Sequence, residues 1–472
     1  MPNTEVLDRL RAIVRDKGVL DAPGDVAPYL RDIRGLYRGR SPFVLRPANV
    51  AEVSAILKLC NEAHIGVVPH GGNTGYCGGA TPDESGEQIV LSLARLNRVR
   101  SVEPLNYAIT VEAGCVLANV QQAAAAADRY FPLSLGAEGS CQIGGNLSTN
   151  AGGTAVLRYG MARDLVLGLE VVLADGSVLD GLSSLRKDNS GYDLKSLFIG
   201  AEGTLGVITA ATLKLFPAVA TRATAFLAIA DMEVAVRLLG ELRAASADRM
   251  SACEIIGRAA MELVTRHVPG AADPFAAPHP WYLLLELQSA LAGEPLNELL
   301  ENVLGAAMER GEVLDAVIAA SGAQRDALWK LRESIPEAMA AEGAQIKHDV
   351  SVPLASLAAF SAEAGAWILQ RIPGARLITF GHIGDGNLHF NIGQPVGADA
   401  QAFLARIAEI EHGVHDIAHA HAGSFSAEHG IGRHKLPELA RYSGAVELDL
   451  MRTIKRALDP HGIMNPGKVI AS

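Results

Sequence analysis

The stretch FGHIGDGNLHFNI, residues 380–392, sets two histidines, His382 and His389, on either side of Gly-Asp-Gly. Imidazole moves protons near neutral pH and is a common metal ligand. Two brought together can share one ion. Asp385-Gly386 is a pair favoured at the centre of a two-residue type I′ hairpin. With that turn, Gly384 faces Asn387, Ile383 faces Leu388 and His382 faces His389. Opposite Cβ atoms lie about 4.5–5.5 Å apart, close enough for both rings to reach a metal at about 2.0–2.1 Å. Asn391 then shares the face of His389 and lies opposite Phe380. A third ligand must come from elsewhere, and Glu428 in SAEHGIGRHK is the candidate. Gly430 and Gly432 make this segment a loop, in which neighbours Glu428 and His429 can both point inward, as a regular strand would forbid. Two histidines and a carboxylate leave coordination positions open for substrate. In HDIAHAHAG, His415 and His419 have i, i+4 spacing but no adjacent glutamate. They read as surface histidines near a helix C-terminus, where they suit its dipole.

The elements that must position these groups follow from hydrophobic period and glycine placement. An amphipathic helix opens the chain, with Val6, Leu10, Ile13 and Val14 on one side. AEVSAILKLCNEA (51–63) reads as a helix and IGVVP (65–69) as a strand, followed by HGGNTGYCGG (70–79). Two more glycine loops follow, GAEGSCQIGGNLSTNAGG (136–153) and GAEGTLG (200–206), the last leading into the strand VITAATLKLFP (207–217). Glycine lets backbone approach a ligand closely and reach positive φ, and successive N–H groups can cradle an anion without spending a cation. Three such loops beside strands point to a large, extended cofactor. None fits strand–GxGxxG–helix, so a nicotinamide site is disfavoured. After Pro217 the glycine clusters stop. TRATAFLAIADMEVAVRLLGELRAA reads strand then helix, WYLLLELQS strand, LNELLENVLGAAMERG helix and GEVLDAVIAA strand, which together suggest a second, antiparallel α+β domain.

Composition narrows the class. The 472 residues carry 41 basic and 52 acidic side chains, a net charge of −11, which argues against nucleic acid as a general partner. No apolar run reaches the roughly 18 residues of a spanning helix, and the N-terminus lacks a signal-peptide pattern. The five scattered cysteines form no C-x-x-C, which fits a reducing cytoplasm and gives no iron–sulfur frame.

PHGGNTG, GGNLSTNAGG, GAEGTLGVIT, GHIGDGNLHFN, EHGIGRHK and the terminal NPGK stand in this order over residues 41–468. They resemble the vanillyl-alcohol-oxidase-type (PCMH-type) FAD flavoproteins, and more narrowly the D-2-hydroxyglutarate and D-lactate dehydrogenases. The resemblance implies an α+β fold in which two α+β subdomains hold FAD (41–217), after a helical N-terminal segment (1–40). A C-terminal antiparallel-sheet α+β substrate domain with a metal site (218–455) follows, then a tail returning to the flavin (456–472). It places FAD on Pro69, His70, Gly71, Gly72, Asn73, Thr74, Gly75 and Gly79 of the first loop. The second loop supplies Gly136, Ser140, Gly144, Gly145, Asn146, Thr149, Asn150 and Gly152, and the third Gly203, Gly206, Val207 and Ile208, with Asn465 from the tail. In some relatives a histidine binds the flavin covalently. The aligned position here is Thr74, so FAD is expected to be non-covalent, with His70 near the pyrophosphate.

The resemblance also gives roles. His382, His389 and Glu428 hold one divalent metal, zinc being expected, and through it touch the substrate. His429 takes the hydroxyl proton. Arg332, Lys347 and Asn391 hold substrate carboxylate, as suits fixed cations. Four places after the arginine, where a hydroxyl residue is expected in the hydroxyglutarate members, this chain has Pro336, which weakens recognition of a distal carboxylate. The expected reaction is oxidation of a D-2-hydroxy acid, D-2-hydroxyglutarate first and D-lactate or another second, with electrons leaving to an external carrier such as an electron-transfer flavoprotein or a quinone. A homodimer is an open option. A metal hydrolase built on His382, His389 and Glu428 is the distant alternative, and it leaves three glycine loops unexplained.

Overall fold

The computed structural model describes residues 3–470, which divide into two compact units. The first takes the chain up to Gly152, then Gly160–Ala218 and the described residues from Glu428 onward. The second takes Gly153–Tyr159 and Val219–Ala427. The return to the first unit therefore begins at Glu428 and not at 456. The reason lies in hydrogen bonds made well before 456: the Arg433 N–H donates to the Cys77 carbonyl (2.8 Å) and the Ile431 N–H to the Glu202 carboxylate (2.7 Å).

Two larger sheets build the first unit, beside a two-stranded pair of Phe216–Pro217 on Arg129–Tyr130. Val19–Leu20, Val44–Leu45, Ile89–Ser92 and Val67–His70 pair in that order, the last three in parallel. Val99–Glu103, Ala108–Glu112, Val207–Lys214, Val166–Val172 and Val178–Gly181 form an antiparallel sheet. The helix Val50–Glu62 starts where Asn49 accepts from the Glu52 N–H while Glu52 accepts from the Ala48 N–H, a reciprocal capping arrangement. Val53, Ile56, Leu57 and Cys60, spaced for one helical face, are buried. Val67–His70 ends at the first glycine loop, and Val207–Lys214 begins directly after the third.

An eight-stranded sheet makes the second unit. Its order is Val313–Ile318, Thr221–Ile229, Trp281–Ser289, Met250–Gly257, Arg376–His382, Asn387–Gly393 and Gln345–Ile346, with Asp349–Ser351 also on Asn387–Gly393; all pairs are antiparallel. Leu238, Leu300, Phe360 and Val414, from four helices, belong to one core, and Met261, Val264, Leu331 and Ile335 to another with Phe226, Tyr282 and Phe380. Helices thus cover both sheet faces. The strand Met250–Gly257 and the helix Arg258–His267 were not expected from the sequence. All eight residues of that strand are buried, so MSACEIIG carries no period of two.

The Phe380–Ile392 hairpin differs from expectation in register. The turn is not the two-residue Asp385-Gly386 but a tight helical turn, Ile383–Asp385, closed by Gly386 at φ 79°. His382 therefore pairs with Asn387, Gly381 with Leu388, Phe380 with His389 and Ile378 with Asn391. His382 and His389 are diagonal neighbours, not opposite ones. Because 387 and 389 are two residues apart, the two histidines still share a face. Their ring centroids lie 5.7 Å apart.

Candidate active site

In the first unit the glycine loops line two adjoining cavities, of about 140 and 810 Å³. His70, Gly71, Gly72, Asn73 and Gln142 line both, so together they make one extended groove. Pro69, Thr74, Gly75, Gly79, Gly144, Gly145, Asn146, Thr149, Gly203, Gly206, Val207 and Ile208 line the first, and Ser140 the second. The loops can come together because Gly72 has no side chain: a Cβ there would stand 2.3 Å from the Ser140 carbonyl oxygen. Four expected cofactor residues lie off both cavities. Asn150 turns away, its Oδ1 accepting from the Arg163 N–H at 2.9 Å. The Asn465 amide instead donates to the Gly79 and Glu202 carbonyls at 3.0 and 2.7 Å. Gly136 and Gly152 line neither cavity.

The groove fits FAD by its unmet polar groups. Gln142 Oε1, Asn146 Oδ1 and both ring nitrogens of His70 are buried without a hydrogen-bond partner, and buried polar atoms rarely stay unpaired. Burial pushes His70 down to about 4, so its imidazole is neutral at pH 7. Gly75 and Gly145 have nothing within 4 Å of a Cβ position, which leaves open backbone for a large ligand. Thr74 stands in the lining. His429 also lines the first cavity, its ring 4.8 Å from that of Tyr76.

In the second unit a polar cluster occupies one sheet face. Glu254, fully buried on Met250–Gly257, pairs with His382 across the sheet. Its Oε1 lies 2.6 Å from His382 Nδ1, and its Oε2 accepts from Arg332 Nε at 2.7 Å. Burial works against the Glu254 charge, but His382 and Arg332 outweigh it and hold the carboxyl below its ordinary value. Arg332 also stacks over Phe380, 4.8 Å from the ring centroid. His389 lies near buried Asp349, at 3.8 Å from Nδ1 to Oδ1, and Asn387 Nδ2 donates to the same Asp349 oxygen at 2.9 Å. Asn391 is buried, its Oδ1 accepting from the His348 N–H at 3.2 Å. Lys347 is half-buried between Gln345–Ile346 and Asp349–Ser351. Pro336 is exposed in the first turn of the helix Ile335–Ala340, a position that tolerates proline because no helical partner awaits its missing N–H. His415 is buried and not at the surface, its ring 5.6 Å from that of His348.

Two carboxylates at these sites escaped the sequence reading. Glu254 is the lone charge in the apolar run MSACEIIG, and Glu202 the lone charge in GAEGTLG. A charged residue inside an otherwise uncharged element was the signal available for both.

Comparison with known proteins gives two family matches that together span most of the chain. Residues 41–181 match the FAD binding domain family, and 219–469 the family described as FAD linked oxidases, C-terminal domain. The D-2-hydroxyglutarate dehydrogenase of Xanthomonas citri pv. viticola is 39% identical over 95% of this chain and 93% of its own. The mitochondrial D-2-hydroxyglutarate dehydrogenase of Bos taurus is 40% identical over 98% and 83%. A Schizosaccharomyces pombe protein called putative D-lactate dehydrogenase is 36% identical over 95% and 85%. Among solved structures, p-cresol methylhydroxylase superposes with TM-score 0.76 at 18% identity, over 98% of this chain and 96% of that one, a likeness of fold. The α+β architecture, the flavin-binding first unit and full-length identity of this order place the chain in the family of FAD linked oxidases to which the D-2-hydroxyglutarate dehydrogenases belong.

Proposed function

We propose that the protein oxidises a D-2-hydroxy acid, with D-2-hydroxyglutarate as the leading substrate, and passes the electrons to an external acceptor such as an electron-transfer flavoprotein or a quinone. The observation that carries this reading is Arg332. Its Nε is fixed by Glu254 and its plane by Phe380, while among the described residues its two terminal amino groups make no hydrogen bond. An arginine anchored at one edge presents the other to a planar carboxylate. Bound FAD supplies the hydride acceptor. Lys347 is assigned to a second substrate carboxylate and Asn391 to a neutral contact.

His382 and His389, on one sheet face, are assigned to a divalent metal, zinc by donor type. Glu428 as third ligand and His429 as proton acceptor rest on the family resemblance. A metal on the substrate hydroxyl would lower its pKa and fix its orientation, and a histidine titrates in the range needed to take the proton. D-lactate is the second reading, favoured by the name of the S. pombe relative. Lys347 separates the two: Lys347→Ala should impair hydroxyglutarate selectively and spare lactate, and equal loss on both would remove Lys347 from the distal carboxylate.

The test is anaerobic flavin reduction with a panel of 2-hydroxy acids, before and after chelation and metal analysis. D-2-hydroxyglutarate should bleach the flavin fastest, and chelation should stop it. His389→Ala should lose metal and nearly all activity yet keep FAD, whereas His429→Ala should keep both and lose turnover. Full-rate reduction without metal would sink the metal assignment. No bleaching by any 2-hydroxy acid would sink the substrate class. Acid precipitation should leave the yellow colour in solution, and colour in the pellet would contradict the reading of Thr74.

A further inference from the structure

We infer that Glu202 is a positioning residue: its carboxylate holds the backbone at Ile431 and Gly432, and so fixes His429 at the flavin cavity. This rests on the role given to His429 above.

The loop GAEGTLG was expected to turn its backbone to the cofactor. At its centre stands a buried carboxylate, on a residue at φ 50°, a backbone state that costs free energy outside glycine. Its Oε1 accepts from the Ile431 N–H at 2.7 Å, and both oxygens accept from the Gly432 N–H, at 3.1 and 2.9 Å. Space for it comes from missing side chains. A Cβ on Gly430, itself at φ +74°, would stand 2.7 Å from Glu202 Oε1, and one on Gly79 3.1 Å from Oε2. The Glu202 and Gly79 carbonyls are in turn held by the Asn465 amide. Three segments distant in sequence thus meet at Glu202: Gly79 and 430–432 at its carboxylate, and Asn465 at its backbone carbonyl.

Glu202 and His429 line the same cavity, and His429 is two residues from the first backbone N–H that Glu202 holds. Gly430 at positive φ is a flexible joint immediately after His429. Such a joint needs restraint from beyond it, and the Glu202 acceptors supply it at Ile431 and Gly432, beside the Cys77 carbonyl, which accepts from the Arg433 N–H at 2.8 Å. A carboxylate presents acceptors only, whereas a glutamine turns an NH₂ toward one of these N–H groups. The acceptor pair therefore sets the His429 segment, while the glycine loops hold the cofactor.

The test uses FAD-loaded full-length protein carrying Glu202→Gln. With no substrate present, amide hydrogen exchange at Ile431 and Gly432 should speed up about tenfold or more, the scale of losing a charge-assisted hydrogen bond. The rate of flavin reduction at saturating substrate should fall about tenfold or more, with KM and FAD Kd within about threefold. Glu202→Asp, which keeps both acceptors on a shorter arm, should fall between. Gly430→Ala attacks the same contact from the other side with Glu202 intact, and should reproduce the pattern if Glu202→Gln does not fold. Exchange and rate within about twofold of the parent would overturn the inference. So would loss of FAD in proportion to activity, which marks a cofactor ligand, or failure of both variants to fold with FAD. If no 2-hydroxy acid reduces the parent flavin, the substrate reading fails, while amide exchange at 431–432 still decides whether Glu202 holds the segment.

Discussion

Glu202 in the first unit and Glu254 in the second are both buried carboxylates, and they are held by opposite means. Glu202 is met by backbone N–H groups, with a smaller contribution from the Lys435 charge, and burial still pushes its carboxyl up. Glu254 is met by a guanidinium and an imidazole, and its carboxyl is held down against the same burial. Dipoles satisfy the hydrogen-bonding capacity of a carboxylate without offsetting all of its lost hydration; opposite charges within contact distance do. The difference suits the two jobs. The first unit binds through glycine loops and backbone, so its carboxylate fixes a main-chain path. On the proposed function the second unit recognises charge, and its carboxylate orients charged side chains.

The largest effect should come from breaking the second arrangement. Arg332→Ala leaves buried Glu254 with one partner, which should cost about 3–5 kcal/mol of stability. It should also lower kcat/KM by the equivalent of roughly 2–5 kcal/mol, the scale for losing a desolvated charge pair. Thermal denaturation and steady-state kinetics read the two effects separately, and FAD content should not change. Lost stability with kcat/KM within twofold would leave Arg332 as Glu254's structural partner and no more.

A smaller effect sharpens the comparison through its sign. Glu254 has a depressed pKa, so its stabilisation is present above the unfolded carboxyl value, near 4.5, and is lost as pH falls through the lower folded value. Glu202 has a raised pKa, so ionising it costs stability, and that cost grows as pH rises from about 4.5 through the higher folded value. In metal-free protein, the stability gap between parent and Glu254→Gln should therefore widen as pH rises from acid toward neutral. The gap for Glu202→Gln should narrow over the same interval. Urea midpoints at several pH values check this, and slopes of one sign for both variants would dissolve the contrast.

The same contrast explains what the sequence made legible. The groove was readable because it is built from backbone: runs such as HGGNTG and GGNLSTNAGG announce loops by composition alone. The face shared by His382 and His389 was readable from the period of two, but not their pairing. Register depends on turn length, and the turn takes Ile383 and Gly384 as well as Asp385-Gly386. Glu254 was missed together with its strand, because burial on both faces removes the alternation by which strands are recognised. Glu202 was missed for another reason. Its partners, Ile431 and Gly432, lie more than two hundred residues away, and they meet it through backbone N–H groups that every residue type except proline carries.

The smallest predicted effect concerns a third buried titratable group, in which burial outweighs the other influence on its charge. His70 lines both parts of the groove with its two ring nitrogens unpaired, and Tyr29 packs against it with ring centroids 4.7 Å apart. Burial sets its state against a smaller opposing influence of the Gly71 backbone, lowering its pKa to about 4. A neutral imidazole offers one donor and one acceptor, so it suits a polar edge of FAD and not a bare phosphate charge. His70→Leu keeps similar bulk and removes both nitrogens. It should weaken FAD binding by about 0.5–1.5 kcal/mol, or roughly two- to tenfold in Kd. In the parent, FAD affinity should be flat between about pH 6 and 8, because a group titrating near 4 carries no charge there. Flavin fluorescence titration measures both quantities. An unchanged Kd in the variant would show that the nitrogens do not meet the cofactor. A steep loss of parent affinity above pH 6 would show that the binding imidazole is the protonated form, and that a nearby anion, absent from its present surroundings, offsets its burial as His382 and Arg332 do for Glu254.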